Sequence, residues 1–180
     1  RNAMKNDNKL RTLVLTAMFA ALVCVATLVI RIPTVGGYTN LGDGIVLLSA
    51  FLLGPLYGGI AAGLGSALAD LIAGYAYYIP GTFIIKGLMA VFAALLMKKA
   101  LQEREIPSVP MLLLCTAPAE LFMVAGYFAY KTLILGKPEG AVTSIAGNLM
   151  QGLVGCIISI LLYRLLVKVP AVREHSWKGR

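Results

Sequence analysis

The chain has 180 residues, of which 59% are hydrophobic and 13% charged, with a formal net charge of +8. A soluble domain carries about 25% charged residues, so this composition excludes disorder, a disulfide scaffold and an ordinary soluble enzyme, and leaves an integral membrane protein. The basic excess lies at the ends of apolar runs, where it reads as a topology signal and not as a nucleic-acid-binding surface.

Arg1 to Ala3 precede Met4 and read as a cloning remnant, so 1–9 are assigned to that remnant and a cytoplasmic N-terminus. A span needs about 20 mostly apolar residues. Thr12–Ile30 meets that length without a charge, and is too long for a signal-peptide core. Gly44–Leu53 is apolar but short and ends at Gly54-Pro55, a turn signal, so it is expected to form a tight hairpin with Leu56–Ala73. Gly81–Met97 is interrupted by Lys86, Met111–Tyr130 by Glu120, and Ala141–Val167 is uncharged up to Arg164. The expected fold is therefore an all-α, polytopic membrane protein with six transmembrane helices over 10–168, followed by a basic cytoplasmic tail at 169–180. The long Leu/Ala/Val runs lack the alternation of an outer-membrane barrel.

With the N-terminus inside, twelve Lys and Arg fall on the inner face and three (Arg31, Lys131, Lys137) on the outer. That asymmetry predicts both termini to be cytoplasmic. The outer connections are the elaborate ones. Loop one (Arg31 to Asp43) carries Tyr38, Asn40 and Asp43 with Gly36, Gly37 and Gly42 as hinges, as a lid requires; loop three carries Tyr75, Tyr77 and Tyr78, which suit equally an interfacial aromatic belt.

Ionisable residues at membrane depth are costly and mark function. Lys86 lies roughly 8 Å below the outer end of its span, and Glu120 lies near the middle of its own. They either form a purely structural ion pair or border a ligand cavity. Tyr127 is seven residues beyond Glu120 and shares its helical face; Asn148 and Gln151 are three apart, flanked by Gly147, Gly152 and Gly155. Either amide alone serves as interhelical glue, but Lys86, Glu120, Tyr127, Asn148 and Gln151 together supply donors, acceptors and a ring face from three spans, as a small polar aromatic ligand needs. Asp70, near the outer end of its span, reads as solvated at the interface. Cys24, Cys115 and Cys156 are dispersed in apolar runs, with neither disulfide nor metal spacing. No P-loop, HExxH or Ser-His-Asp set is present, so no enzyme, metal centre or cofactor is expected.

The pieces NLGDGIVLLSAFLLGPLYGG, IKGLMA, AELFMVAGYF and GNLMQGLVG, with Ala17-x-x-x-Ala21 in span one, resemble the substrate-binding S-components of energy-coupling factor (ECF) vitamin transporters over about Leu10 to Lys168. The branch resembled is the one around riboflavin, hydroxymethylpyrimidine and pyridoxine uptake. The resemblance implies capture of a vitamin from outside, docking on a membrane coupling subunit that works with two cytoplasmic ATPases, and inward release by toppling. It places the protein in the prokaryotic plasma membrane. It also implies that Ala17 and Ala21 face the coupling subunit, that Asn40 and Asp43 cap the site, and that Lys86, Glu120, Tyr127, Asn148 and Gln151 lie in or beside the pocket. One Lys and one Glu suit a ring with ring nitrogens and hydroxymethyl groups, such as pyridoxine or hydroxymethylpyrimidine; riboflavin needs a larger pocket, and a phosphorylated ligand needs more than one deep cation. Two other readings of the residues remain at this stage: a stand-alone carrier with Glu120 as titrating group, and a scaffold in which the polar set is a closed network.

Overall fold

The computed structural model describes residues 2–34 and 37–179, and the side chains of these except 2–8, 34 and 37. Arg1, part of the expected remnant, and Gly36, an expected hinge, lie outside the described residues. Among the described residues, five helices are long and apolar enough to cross a membrane. In chain order, α1 spans Asn2–Val29, α2 Gly42–Ala73, α3 Ile79–Glu103, α4 Val109–Ala129 and α5 Pro138–Leu166; a short α6 (Pro170–His175) follows. A two-stranded antiparallel sheet, β1 (Arg31–Thr34) and β2 (Gly37–Asn40), links α1 to α2.

The α2 segment is two antiparallel arms, 42–53 and 55–73. The break is at Gly54, with φ +79° and ψ −175°, a combination open to glycine alone. Pro55 follows, removes a helical N–H and disfavours a helical residue before it. That the chain turns back there is shown by Ser49, whose hydroxyl donates to the Gly58 carbonyl at 3.3 Å. A Cβ on Gly58 would lie 2.8 Å from the Ala50 Cα, so glycine is what lets the arms touch. The expected hairpin is present, but its first arm has twelve residues and reaches about 18 Å, less than the roughly 30 Å of a bilayer core. It is the short, largely buried arm of that hairpin, at the centre of the bundle. Val46, Leu47, Ala50 and Phe51 on it are fully buried.

Around α2 pack α1, α3 and α5, with α4 closing between α3 and α5. The core is built from small and flexible side chains: Ala61, Ala62, Met89, Ala90, Ala93, Ala94, Met97, Ala119 and Met123 are all inaccessible. Without a hydrophobic force between helices in lipid, such close backbone approach is what holds a bundle together. Leu13, Val14, Met18, Leu22 and Val25 on α1 are exposed, as a lipid-facing surface should be.

Two further segments complete the fold. Loop one is not an irregular loop but the β1–β2 hairpin, with Ile32 opposite Thr39 and Pro33 opposite Tyr38. The basic segment expected at 169–180, of which Arg180 lies outside the described residues, packs on the bundle. The Trp177 N–H donates to the Leu52 carbonyl at 2.8 Å, and its ring lies under the Gly54 break. A Cβ at Gly54 would come within 2.8 Å of that ring. Gly54→Ala is therefore expected to destabilise the protein by about 1–3 kcal/mol through backbone strain alone, seen as a lowered Tm in detergent. An unchanged melt would contradict the assigned turn.

Candidate functional site

The site lies at the end of the bundle away from Gly54 and Trp177, beneath the β1–β2 hairpin. A polar cavity there, about 510 Å³ counting its mouth, is lined from α1 (Thr27), β2 (Tyr38, Asn40), both ends of the α2–α3 connection (Asp70, Tyr78, Thr82), Lys86 of α3, Tyr127 of α4, Lys131, and Asn148 and Gln151 of α5. The enclosed part is small, about 50 Å³; what marks a small-molecule site here is the convergence of polar groups from several elements on one cavity.

Its floor is an ion pair. Lys86 Nζ donates to Asp43 Oδ1, and both side chains are almost fully buried. Gln151 Nε2 donates to the other Asp43 oxygen at 2.7 Å. The Gln151 Oε1 in turn accepts the Asn40 N–H of β2 at 2.9 Å. Asn40 Oδ1 accepts the Gly42 N–H at 2.8 Å and so holds the start of α2. One continuous chain of bonds therefore runs from the hairpin through Gln151 and Asp43 to Lys86. The Lys86 ammonium also lies 5.5 Å from the Tyr127 ring centroid, a cation–π distance.

Asp43, not Glu120, is thus the partner of Lys86. Of the two alternatives the sequence left for Lys86 and Glu120, the structural pair does not form, because the hairpin of α2 brings the first residues of its short arm down beside α3. Glu120 sits behind Asp43, in space that exists only because residues 152 and 155 are glycines: a Cβ on Gly152 would lie 3.0 Å from the Glu120 Cβ, and one on Gly155 would collide with Glu120 Oε1. Neither Glu120 oxygen has a hydrogen-bond partner among the described residues. Asn40, Lys86, Tyr127, Asn148 and Gln151 line the cavity; Asp43 and Glu120 support it from behind. Ala17 and Ala21 are exposed on the lipid side of α1, while Ala20 between them is buried.

Opposite the floor is a second polar wall. The Tyr38 O–H donates to Asp70 Oδ1 at 2.6 Å, tying the hairpin to the second arm of α2. Burial, and then the Asp70 carboxylate, push the Tyr38 phenol above its ordinary pKa and keep it a donor. The Tyr127 O–H donates to the Thr82 hydroxyl at 3.0 Å. Asp70 is 6% exposed, so the interfacial solvation expected for it is wrong: it faces the cavity. Lys131 is equally buried, its ammonium 5.7 Å from the Tyr78 ring centroid. It is not an outer-loop charge. Residues 130–134 form a single π-helical turn that extends α4 and carries Lys131 with it; such turns recur at functional sites. The sequence held a signal for Lys131, which is four residues beyond Tyr127 and so on the same helical face. Tyr75, Tyr77 and Tyr78 form a ring cluster with Tyr38 at the cavity mouth, with centroids 4.9–6.3 Å apart.

The hairpin is held over the cavity by few bonds. Tyr38→Phe removes one of them and leaves the ring in place. It is expected to speed ligand dissociation by about tenfold or more, the value of one hydrogen bond to a charged group, as read by stopped-flow release. An unaltered off-rate would show that the hairpin does not retain the ligand.

A family model described as the S component of an ECF-type riboflavin transporter matches residues 7–168. A Pyrococcus woesei protein, described as an uncharacterized protein in a gap 3' region, is 38% identical over 138 residues, which are 76% of this chain and 88% of that one. Two solved structures share the fold. The S-component for biotin from an ECF-type ABC transporter aligns with a TM-score of 0.67 and 21% identity, over 89% of this chain and 93% of that one. The S component of a bacterial ECF transporter aligns with a TM-score of 0.62 and 23% identity, over 89% of this chain and 97% of that one.

Proposed function

The chain belongs to the S-component family of ECF-type transporters, multi-pass plasma-membrane proteins that bind substrate and are not enzymes, and from that premise we propose that it captures a small vitamin or vitamin precursor from outside the cell. The observation that carries the proposal is the cavity under the β1–β2 hairpin, with polar groups from α1, α2, α3, α4 and α5 converging on it. The charge asymmetry supports an outward mouth: Lys98, Lys99, Arg104, Arg164 and Lys168 cluster at the opposite end of the bundle. The twelve-to-three count becomes sharper once Lys131 is removed from the outer face.

The ligand we propose is a single heteroaromatic ring with hydroxymethyl groups, pyridoxine- or hydroxymethylpyrimidine-like. Tyr127, Tyr78 and Tyr38 offer ring faces; Asn148, Gln151 and Thr82 offer both donors and acceptors. Lys131 is a second deep cation, so a phosphorylated ligand is not excluded by the number of deep cations as the sequence suggested. Such a ligand is still disfavoured, because Asp70 faces the same space and repels a dianion, and Lys86 is already neutralised by Asp43. Transport would require a membrane coupling subunit with two ATPases, and the exposed face bearing Ala17 and Ala21 is the docking surface we propose for that subunit. Calorimetry of the purified protein with pyridoxine, hydroxymethylpyrimidine and riboflavin tests the reading. Saturable binding of a single-ring vitamin is expected; binding of riboflavin alone would overturn it.

A further inference from the structure

The charges lining the cavity are not balanced in pairs. Lys86 is committed to Asp43. The two other buried charges at the cavity, Asp70 on α2 and Lys131 beyond α4, have no salt-bridge partner among the described residues, whether each other or a third group. Asp70 accepts the Tyr38 O–H and stands within reach of the Thr82 hydroxyl. Lys131 has the face of Tyr78. A buried charge without a counter-charge is expensive, and a hydroxyl or a ring face compensates only part of that cost. The cavity thus offers a carboxylate and an ammonium from different elements, both only 6% exposed, and both open to a guest.

We propose that the guest is amphoteric: a single aromatic ring with a protonated ring nitrogen, whose N–H is held by Asp70, and an ionised ring oxygen held by Lys131. The proposal rests on the small-vitamin reading above and narrows it. A 3-hydroxypyridine ring carries both groups, because its phenolic proton passes readily to the ring nitrogen near neutral pH. Each charge-assisted hydrogen bond then replaces solvation that the empty site supplies poorly. Tyr127 and Tyr78 stack on the ring, and Asn148 and Gln151 remain for hydroxymethyl groups. A flavin, neutral at neutral pH, leaves both charges without a counter-charge, and selection against it follows from that cost.

The test is calorimetry near neutral pH with three probes: pyridoxine, its carbocyclic analogue in which the ring nitrogen is replaced by C–H, and riboflavin. Pyridoxine is expected to bind the wild-type protein at least about tenfold more tightly than the carbocycle, the scale of one charge-assisted bond. Asp70→Asn should erase that difference, and Lys131→Gln should weaken pyridoxine by a similar factor. The wild-type comparison needs no variant, so a misfolded substitution cannot obscure it. Equal binding of pyridoxine and the carbocycle to the wild type overturns the amphoteric guest and leaves the single-ring reading standing. Failure of pyridoxine to bind overturns this inference; if the hydroxymethylpyrimidine of the calorimetry above fails as well, the single-ring reading falls with it.

Discussion

Lys86→Met is expected to be the most damaging single substitution in the chain. It leaves the Asp43 carboxylate buried with only the Gln151 amide to compensate it. Breaking a buried pair by removing one partner costs about 3–5 kcal/mol. The loss should appear as a large drop in Tm in detergent, before any ligand is added. Asp43→Asn in the same chain removes the stranded charge and keeps the hydrogen-bonding shape toward Gln151. The double variant should therefore recover most of the lost stability, a coupling that only contacting residues show. If the two single losses simply add, the ion pair at the cavity floor is not the structural keystone described here. Recovery of stability without recovery of ligand binding would separate the two roles of Lys86, as floor and as ligand contact.

Asn148→Ala should behave in the opposite way. Asn148 lines the cavity, is half-buried, and makes no side-chain hydrogen bond among the described residues. Removing it strands no internal partner, so Tm of the empty protein should move little. Ligand affinity should fall about five- to thirtyfold, because an amide that meets the ligand directly is worth on the order of 1–2 kcal/mol of binding. Calorimetry and a melt on the same preparation give both numbers. An unchanged affinity would remove Asn148 from the site; a large fall in Tm would make it interhelical glue instead.

Much of this architecture was legible because the membrane makes polar residues conspicuous. Lys86, Glu120, Asn148 and Gln151 stand out within apolar runs, and Gly54-Pro55 marks a turn that only glycine can make. What was not legible is which carboxylate meets Lys86. That depends on the short arm of α2 entering at Gly42, which Asn40 and Thr27 set: a Cβ on Gly42 would lie 2.8 Å from the Asn40 side-chain oxygen and collide with the Thr27 hydroxyl. Register of this kind follows from packing, not from spacing along the chain. The β1–β2 hairpin was hidden for a simpler reason. Two four-residue strands, one of them carrying Pro33, are too short and alternate too little to signal a sheet. Asp70 and Lys131 were misplaced by a rule that is sound on average: charges near span ends belong to the interface. Here the hairpin covers that end of the bundle, and residues at interfacial depth become cavity walls.

The central claim is that the cavity under this hairpin holds a single-ring vitamin. Native mass spectrometry of the protein purified gently from membranes tests it most directly. The expected spectrum contains a one-to-one adduct whose released mass is that of a single-ring heteroaromatic, and the adduct disappears in Asn148→Ala. A flavin-sized adduct, or a small adduct that persists undiminished in that variant, would contradict the account.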